Sequence, residues 1–363
     1  MKRLSIIIAI YNVENYVHQC LDSIFRQGLD ENDFEVIIIN DGTEDNSINV
    51  ITDIVNQHQN ITIINQENQG SSIAWNNGID IANGEFILIV DADDLLIERR
   101  LKPLLEKAME TKADIVVANF IELDDEKITE TMLSHLNSRA MDVLYQEKTG
   151  HELFLEDLHP SQCYVWRKLY KRSFLKEKHL TFVPGILFQD IPFTNECYLI
   201  AGKCIKATQP LYIYRKRNLA VTYAYSVKKG LDNTIAIAKT WELLSRYPLS
   251  GKIKEKLQNN VFNNFINFSR RVSRLSKDYK ERESIYEHLR QNAPNMHFKN
   301  NMKQALISFL FWHSATLYNY ASYYYVRIVQ NTIIPHFRSY LNIIRKKRHF
   351  FHLFRKERKA RHA

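Results

Sequence analysis

Nine residues, Phe86 to Asp94 (FILIVDADD), restrict what this chain can become. Phe-Ile-Leu-Ile-Val is an unbroken apolar run of strand length, which suits a strand buried on both faces of a sheet. Three carboxylates come next within four positions: Asp91, Asp93 and Asp94. A strand covered by helices delivers the residues after it to the carboxyl edge of the sheet, where open α/β sheets bind ligands. Carboxylates crowded at that edge repel one another, and a bound cation relieves them. Hard divalent ions prefer oxygen ligands and are often held by one or two carboxylates plus substrate phosphates. The pattern therefore points to Mg²⁺ or Mn²⁺ holding a diphosphate. The competing reading is a solvated acidic turn in which Asp94 caps the next helix.

The rest of the first half supports a sheet. Leu4–Ile10, Phe34–Asn40 and Ile61–Asn65 read as strands from their β-branched content, and Asp114–Phe120 and Cys204–Tyr214 as two more. Between them the spacing predicts helices: Tyr16–Phe25 with Val17, Cys20, Leu21, Ile24 and Phe25 on one face, a helix through Val55, and one from Gly70 to about Ala82. After the carboxylates a further helix presents Leu101, Leu104, Leu105 and Ala108, and a later one covers Phe193–Ile200. Strands alternating with helices imply βαβ units, hence an α/β fold with a mostly parallel sheet and helices on both faces. Ile121–Lys148 is polar and reads as a hairpin or mobile loop. From about residue 228 the pattern is helical only, which places a domain over 1–227, a helical extension over 228–334 and a basic amphipathic tail over 335–363.

Charge is unevenly placed. The chain carries a formal +8, yet ten Lys/Arg and a single acidic residue, Glu357, lie between Pro335 and Ala363. The basic balance thus belongs to the tail and not to the sheet. The four cysteines, Cys20, Cys163, Cys197 and Cys204, form no C-x-x-C pair and no zinc-like spacing, in keeping with a reduced, cytosolic protein. The opening MKRLSIIIAIYN has two basic residues before an apolar run but no small-x-small cleavage site, and reads as a first strand, not a signal peptide.

Several segments taken together resemble the family 2 glycosyltransferases: the first 27 residues, EVIIINDGTEDNS, NQGSSIAWNNGIDIANGEFILIVDADD, Trp166-Arg167-Lys168-Leu169-Tyr170-Lys171 and Gln189-Asp190-Ile191. The resemblance runs from about Ser5 to Thr222, in order and at the family's spacing. It implies a GT-A fold and an inverting transfer from a nucleoside diphosphate sugar. It implies that Tyr11 stacks on the nucleotide base and that Asp41 accepts a hydrogen bond from the uracil ring N–H, which favours a UDP-sugar. Asp93 becomes the metal ligand, and Asp91 contacts the ribose or a metal-bound water. Asp190 becomes the general base that takes the acceptor hydroxyl's proton, where the bland alternative is a helix N-cap.

This chain departs from the family's pattern twice. Gln189 stands where the family usually has Glu; losing that like charge should lower the pKa of Asp190. Trp75 stands where the family commonly has Arg, and an indole cannot pair with phosphate. Arg215 and Arg217, in a stretch like the family's Y-R-x-R, are the candidate replacements, against the reading of a solvated basic loop. Trp166 either floors the acceptor sugar or belongs to the core.

The C-terminal third lies outside the resemblance. Ala305–Val326 has no Asp, Glu, Lys or Arg, but its His313, Asn319 and tyrosines favour an amphipathic packing or interfacial helix over a spanning one. Downstream, bulky apolar residues interleave with Arg345–Arg348 and Arg355-Lys356, a composition suited to anionic lipid headgroups; the upstream nucleotide-sugar signature argues against nucleic acid. The expectation is a metal-dependent (Mn²⁺ or Mg²⁺) inverting hexosyltransferase, cytoplasmic and peripheral at the inner face of the membrane. It would act on a glycan or lipid-linked oligosaccharide acceptor. The alternatives are a nucleotide-sugar-binding protein that has lost catalysis, supported by Trp75 and Gln189, and a nucleotidyltransferase. The latter calls for a glycine-rich loop after the first strand, and IAIYNVENY has none.

Overall fold

The computed structural model describes residues 2–138, 143–157, 163–217, 225–249 and 251–328. Compactness divides the chain inside the helix Gly251–Leu275, into residues 1–264 and the residues from 265 on.

The first unit is built on one sheet. Its strands are β1 (Leu4–Ile10), β2 (Phe34–Asp41), β3 (Ile61–Gln66), β4 (Phe86–Asp91), β5 (Leu95–Leu96), β6 (Ile115–Asp124), β7 (Tyr145–Lys148), β8 (Lys168–Lys171) and β9 (Cys204–Lys216). Their order is β3-β2-β1-β4-β8-β6-β9-β5, with β7 also on β9. The first four run parallel. Beyond them the sheet is mixed: β8 is antiparallel to β4 and β6, β6 and β9 are parallel, and β5 and β7 are antiparallel to β9.

The apolar runs of β1, β2 and β4 follow from burial on both faces. Ile6, Ile8, Val36, Ile38, Leu88 and Val90 share a core with Cys20, Leu21 and Ile24 of helix Val17–Phe25 and Leu104, Leu105 and Ala108 of helix Leu101–Thr111. On the alternate face Ile7, Ile37, Ile39, Ile87 and Ile89 are equally buried. There the helix Ser71–Ile81 lies so close that a Cβ at Gly78 would collide with Ile7. This two-sided packing brings three strand ends together: Ile10 pairs with Asn40, and Ala9 pairs with Asp91.

Ile121–Lys148 corrects the hairpin-or-loop expectation. β6 continues to Asp124, and a helix, Glu130–Ser138, precedes β7. None of its residues is fully buried; only Leu133 and Leu136 pack, half-buried, against Leu95, Ile97 and Ile213, too short a face to stand out in a polar stretch. The described chain from 227 on is helical: Val227–Arg246, Gly251–Leu275, Tyr279–Asn292, Met302–His313 and Ala315–Ile328. In the second unit Phe265, Tyr286, Phe311 and Tyr318 form one aromatic cluster. The uncharged stretch expected as one helix is interrupted at Ser314, and no helix among the described residues is long and apolar enough to cross a membrane. The basic tail over 335–363 lies outside the described residues.

Candidate active site

The carboxyl ends of β1, β2 and β4 supply Tyr11, Asp41 and Asp91. Tyr11 is 44% exposed, the condition a stacking platform needs. Asn12 after it adopts φ 52°, and the loop is pinned to the one after β2: the Asn12 and Val13 N–H groups donate to Thr43 Oγ1 (2.8 Å) and Ser47 Oγ (2.9 Å). Asp41 is 3% exposed. Its Oδ1 accepts from Gln66 Nε2 (2.7 Å) and the Gln69 N–H (2.8 Å), and its Oδ2 from the Gly70 N–H (2.9 Å). A carboxylate offers roughly four acceptor positions, so Oδ2 keeps one lone pair. Gly70 reaches this carboxylate at φ 85°, in the left-handed region that glycine adopts freely.

Asp91, Asp93 and Asp94 sit in a turn closed by the Asp94 N–H donating to Asp91 O at 3.1 Å. Arg215 on β9 holds that turn. Its backbone N–H donates to Asp94 Oδ1 (2.7 Å) and its Nε to Asp93 O (2.8 Å). The remaining guanidinium nitrogens reach Asp125 Oδ1 (2.6 Å) and Gln19 Oε1 (2.5 Å), and the plane lies over Tyr16. Arg215 is therefore buried and engaged, not a solvated loop cation. Two residues on, Arg217 also covers Tyr16 and forms an ion pair with the Asp93 carboxylate.

The charges are not balanced. Burial, then the neighbouring charges of Asp93 and Asp190, push the Asp91 carboxyl up to about 8 against the pull of Arg217. Burial and the neighbours Asp93 and Asp91 push Asp94 well above the ordinary carboxylate range. Asp190, from a different element, thus faces the same space as Asp91. It is the first residue of the helix Asp190–Ile200, and Gln189 holds the capping position. Burial pushes Asp190 up to about 6, opposed by the Lys168 cation and by the N–H groups at the helix start. Gln189 does remove a like charge, but burial dominates and the net displacement is upward.

Helix Ser71–Ile81 connects the two halves of this site. Its first residue accepts from Gln189 Nε2 (Ser71 Oγ, 3.0 Å), its second from the Gly185 N–H (Ser72 Oγ, 3.0 Å), and Asn76 exchanges two hydrogen bonds with the Phe182 backbone, both at 2.9 Å. Trp75 is 6% exposed and packs against Phe182, which stacks on Phe193 of the Asp190 helix at 3.9 Å. The indole thus supports the Asp190 segment from beneath. Trp166 is 4% exposed, stacked on Tyr212 (4.2 Å) and Tyr164 (4.7 Å) and met edge-on by Phe120.

The structure therefore brings together Asp91, Asp93, Asp190 and Arg217, places Tyr11 and Asp41 on the adjoining strand ends, and sets Trp75 and Trp166 in aromatic packing. Sequence reasoning missed Tyr16, whose ring lies under both arginines, Gln19, which accepts from Arg215, and Tyr212, whose hydroxyl accepts from the Asp91 N–H at 3.0 Å. It also passed over Lys168 as the buried cation beside Asp190. The alternation of Leu211, Tyr212, Ile213 and Tyr214 along β9 carried a signal for Tyr212; nothing local marks Gln19.

Residues 5–177 match the model of glycosyl transferase family 2. The chain is 32% identical over 261 residues to the uncharacterized glycosyltransferase EpsJ of Bacillus subtilis (strain 168), covering 70% of this chain and 73% of that protein. It is 29% identical over 220 residues to the poly(ribitol-phosphate) beta-glucosyltransferase of Bacillus spizizenii, 60% of this chain and 33% of that one. The crystal structure of Staphylococcus aureus TarS 1–349 in complex with UDP-GlcNAc superposes with a TM-score of 0.67 at 19% identity, over 91% of each chain. That likeness shows the fold, the GT-A arrangement. A mannosyltransferase from Pyrobaculum calidifontis in complex with GDP-Man and Mn²⁺ is similar at a TM-score of 0.50 and 13% identity, over 91% of this chain and 87% of that one.

Proposed function

We propose, from the premise that this chain belongs to glycosyl transferase family 2 and is a glycosyltransferase, that it transfers a hexose-type sugar from UDP to a hydroxyl of a polysaccharide or lipid-linked oligosaccharide, with inversion. The observation that carries the reading is the convergence at one sheet edge of a carboxyl held near 6, Asp190, with two more from a separate turn, Asp91 and Asp93. A base with that pKa is ionised at neutral pH yet basic enough to take a proton from an attacking hydroxyl.

Tyr11 stacks on the base, and the free lone pair of Asp41 Oδ2 receives the uracil N–H. Asp91 orients the ribose. Burial, and then the crowding of Asp93 and Asp190, raise the Asp91 pKa, a strain that a divalent cation would relieve, and Asp93 would hold that cation together with the donor's phosphate oxygens. When bound, Mn²⁺ or Mg²⁺ neutralises the charge of the nucleoside diphosphate leaving group. Arg217, now paired with Asp93, would be the residue to turn its charge to the diphosphate, filling the role that Trp75 cannot. Arg215 keeps the turn rigid throughout. Lys168 holds Asp190 in its ionised form. Membrane attachment through the basic tail would put the enzyme, at the cytoplasmic face, beside a lipid-linked acceptor.

The test is UDP release from a panel of UDP-sugars with Mn²⁺, paired with calorimetry of UDP binding. The reading expects release from one donor, accelerated by acceptor. UDP binding without release from any donor, acceptor supplied, would make the chain a binding protein; absence of UDP binding would remove the donor assignment.

A further inference from the structure

In the second unit, three helices enclose a groove of about 320 Å³ that no part of the transfer reaction uses. The volume lies at the lower end for ligand cavities, roughly 300–1,000 Å³. Ile307, Leu310 and Ala321 are among its apolar walls, and Arg270 and Lys303 are its cations; no acidic residue lines it among the described residues. Neither cation forms an ion pair among the described residues, and Arg270 makes one long bond, 3.4 Å, to Asn267 of its own helix. Lys303 stands in the first turn of Met302–His313, where a cation opposes the helix dipole, so its charge does nothing for the helix. The Ser269 and Tyr318 hydroxyls satisfy each other at 2.7 Å, so the polar groups of the wall do not call for a polar occupant.

The groove opens beside exposed apolar rows. Met302, Leu306 and Phe309 are exposed, each one position before the groove residues Lys303, Ile307 and Leu310. Leu317, Tyr320 and Tyr324 are exposed, each one position before Tyr318, Ala321 and Tyr325. One position is a rotation of about 100° on a helix, so on both helices the outer row adjoins the groove row.

Charge selects the occupant. The chain's own tail, from Pro335, follows the helix Ala315–Ile328 in sequence, but its ten Lys/Arg have the same sign as Arg270 and Lys303. We infer that the groove binds an anionic membrane lipid, one acyl chain lying along Ile307, Leu310 and Ala321 and the phosphate meeting Arg270 and Lys303. The flanking rows then rest in the interfacial layer, and tail and groove address the same anionic surface. The inference rests on the helical unit alone and stands or falls apart from the donor assignment.

The experiment is calorimetry on the full-length chain with dihexanoyl phosphatidic acid below its micelle concentration, dihexanoyl phosphatidylcholine, and inorganic phosphate. Phosphatidic acid should bind, phosphatidylcholine at least about tenfold more weakly, and phosphate not measurably. Ala321→Trp, at an exposed position, fills the groove and should abolish binding with the circular dichroism spectrum unchanged. Arg270→Glu with Lys303→Glu should weaken it by about tenfold or more while leaving the groove open. Equal binding of the two lipids, binding retained in Ala321→Trp, or binding of phosphate alone would overturn the proposal. So would the absence of lipid binding, the result if the tail or a second copy already fills the groove.

Discussion

Both units bury charge, and they treat it in opposite ways. In the helical unit Arg282 is buried, and its Nε, its Nη1 and the face of its guanidinium all meet partners. Nε donates to Asn319 Oδ1 (2.8 Å), Nη1 to the carbonyls of Ser276 and Asp278 (2.9 and 3.2 Å), and the plane rests on Tyr323. Asn319 passes the interaction on to Glu283, which also pairs with Arg290 at 2.8 Å. At the carboxyl edge of the sheet the polar groups are held just as firmly, by Arg215, yet the charges do not cancel. Asp91, Asp93, Asp94 and Asp190 outnumber the cations that reach them, and Asp91 and Asp190 are pushed up to about 8 and about 6. A satisfied buried network holds a fold together; an unsatisfied one stores a demand for a ligand.

That contrast can be broken by substitution. The largest effect belongs to Asp93→Ala, which should lower transfer by about 10²–10³-fold and remove the metal dependence of UDP binding, as titration with and without Mn²⁺ would report. Unchanged metal-dependent binding would contradict the assignment. Arg282→Ala should cost about 3–5 kcal/mol in denaturant unfolding, because Asn319 and two carbonyls lose a buried partner. UDP affinity should survive wherever the variant is folded.

Asp91→Asn should move stability the other way. Unfolded Asp91 titrates near 4, whereas in the fold it keeps its proton up to about 8. The folded state thus binds more protons between those values, and stability falls as pH rises through that window. An amide escapes this penalty, so the ligand-free variant should gain about 1–3 kcal/mol at pH 8 and nothing at pH 4, while losing donor affinity. The smallest effect is expected for Arg217→Gln. Freed of its ion pair, Asp93 should bind Mn²⁺ about 3–10-fold more tightly without donor, and UDP should bind more weakly.

How much of this was legible depended on whether burial left a periodic trace. β1, β2 and β4 are apolar on both faces, and their sequences say so without reference to anything distant. The helix Glu130–Ser138 packs only Leu133 and Leu136, half-buried, and β8 reads Lys-Leu-Tyr-Lys, so both escaped. The carboxylates were legible because acidic residues after an apolar strand are rare and chemically loud. Their supports were not. Arg215 and Lys168 look like surface cations in a string of letters, and become buried only when β9 and β8 are laid into the sheet. For Trp75 and Trp166 the sequence left ligand contact and core packing open, and what it could not show is the aromatic neighbours that each ring meets, Phe182 for Trp75 and Tyr212 for Trp166, both remote in sequence.

The central claim is that Asp190 takes the acceptor's proton, and the pH dependence of kcat/KM for the wild type and Asp190→Asn, measured side by side, addresses it most directly. The account predicts a wild-type rate that rises through an acid limb near 6 to a plateau. It predicts a variant slower by about 10²–10⁴-fold, with that limb gone and UDP affinity kept. A variant that retains both the limb and the rate would show that another group accepts the proton.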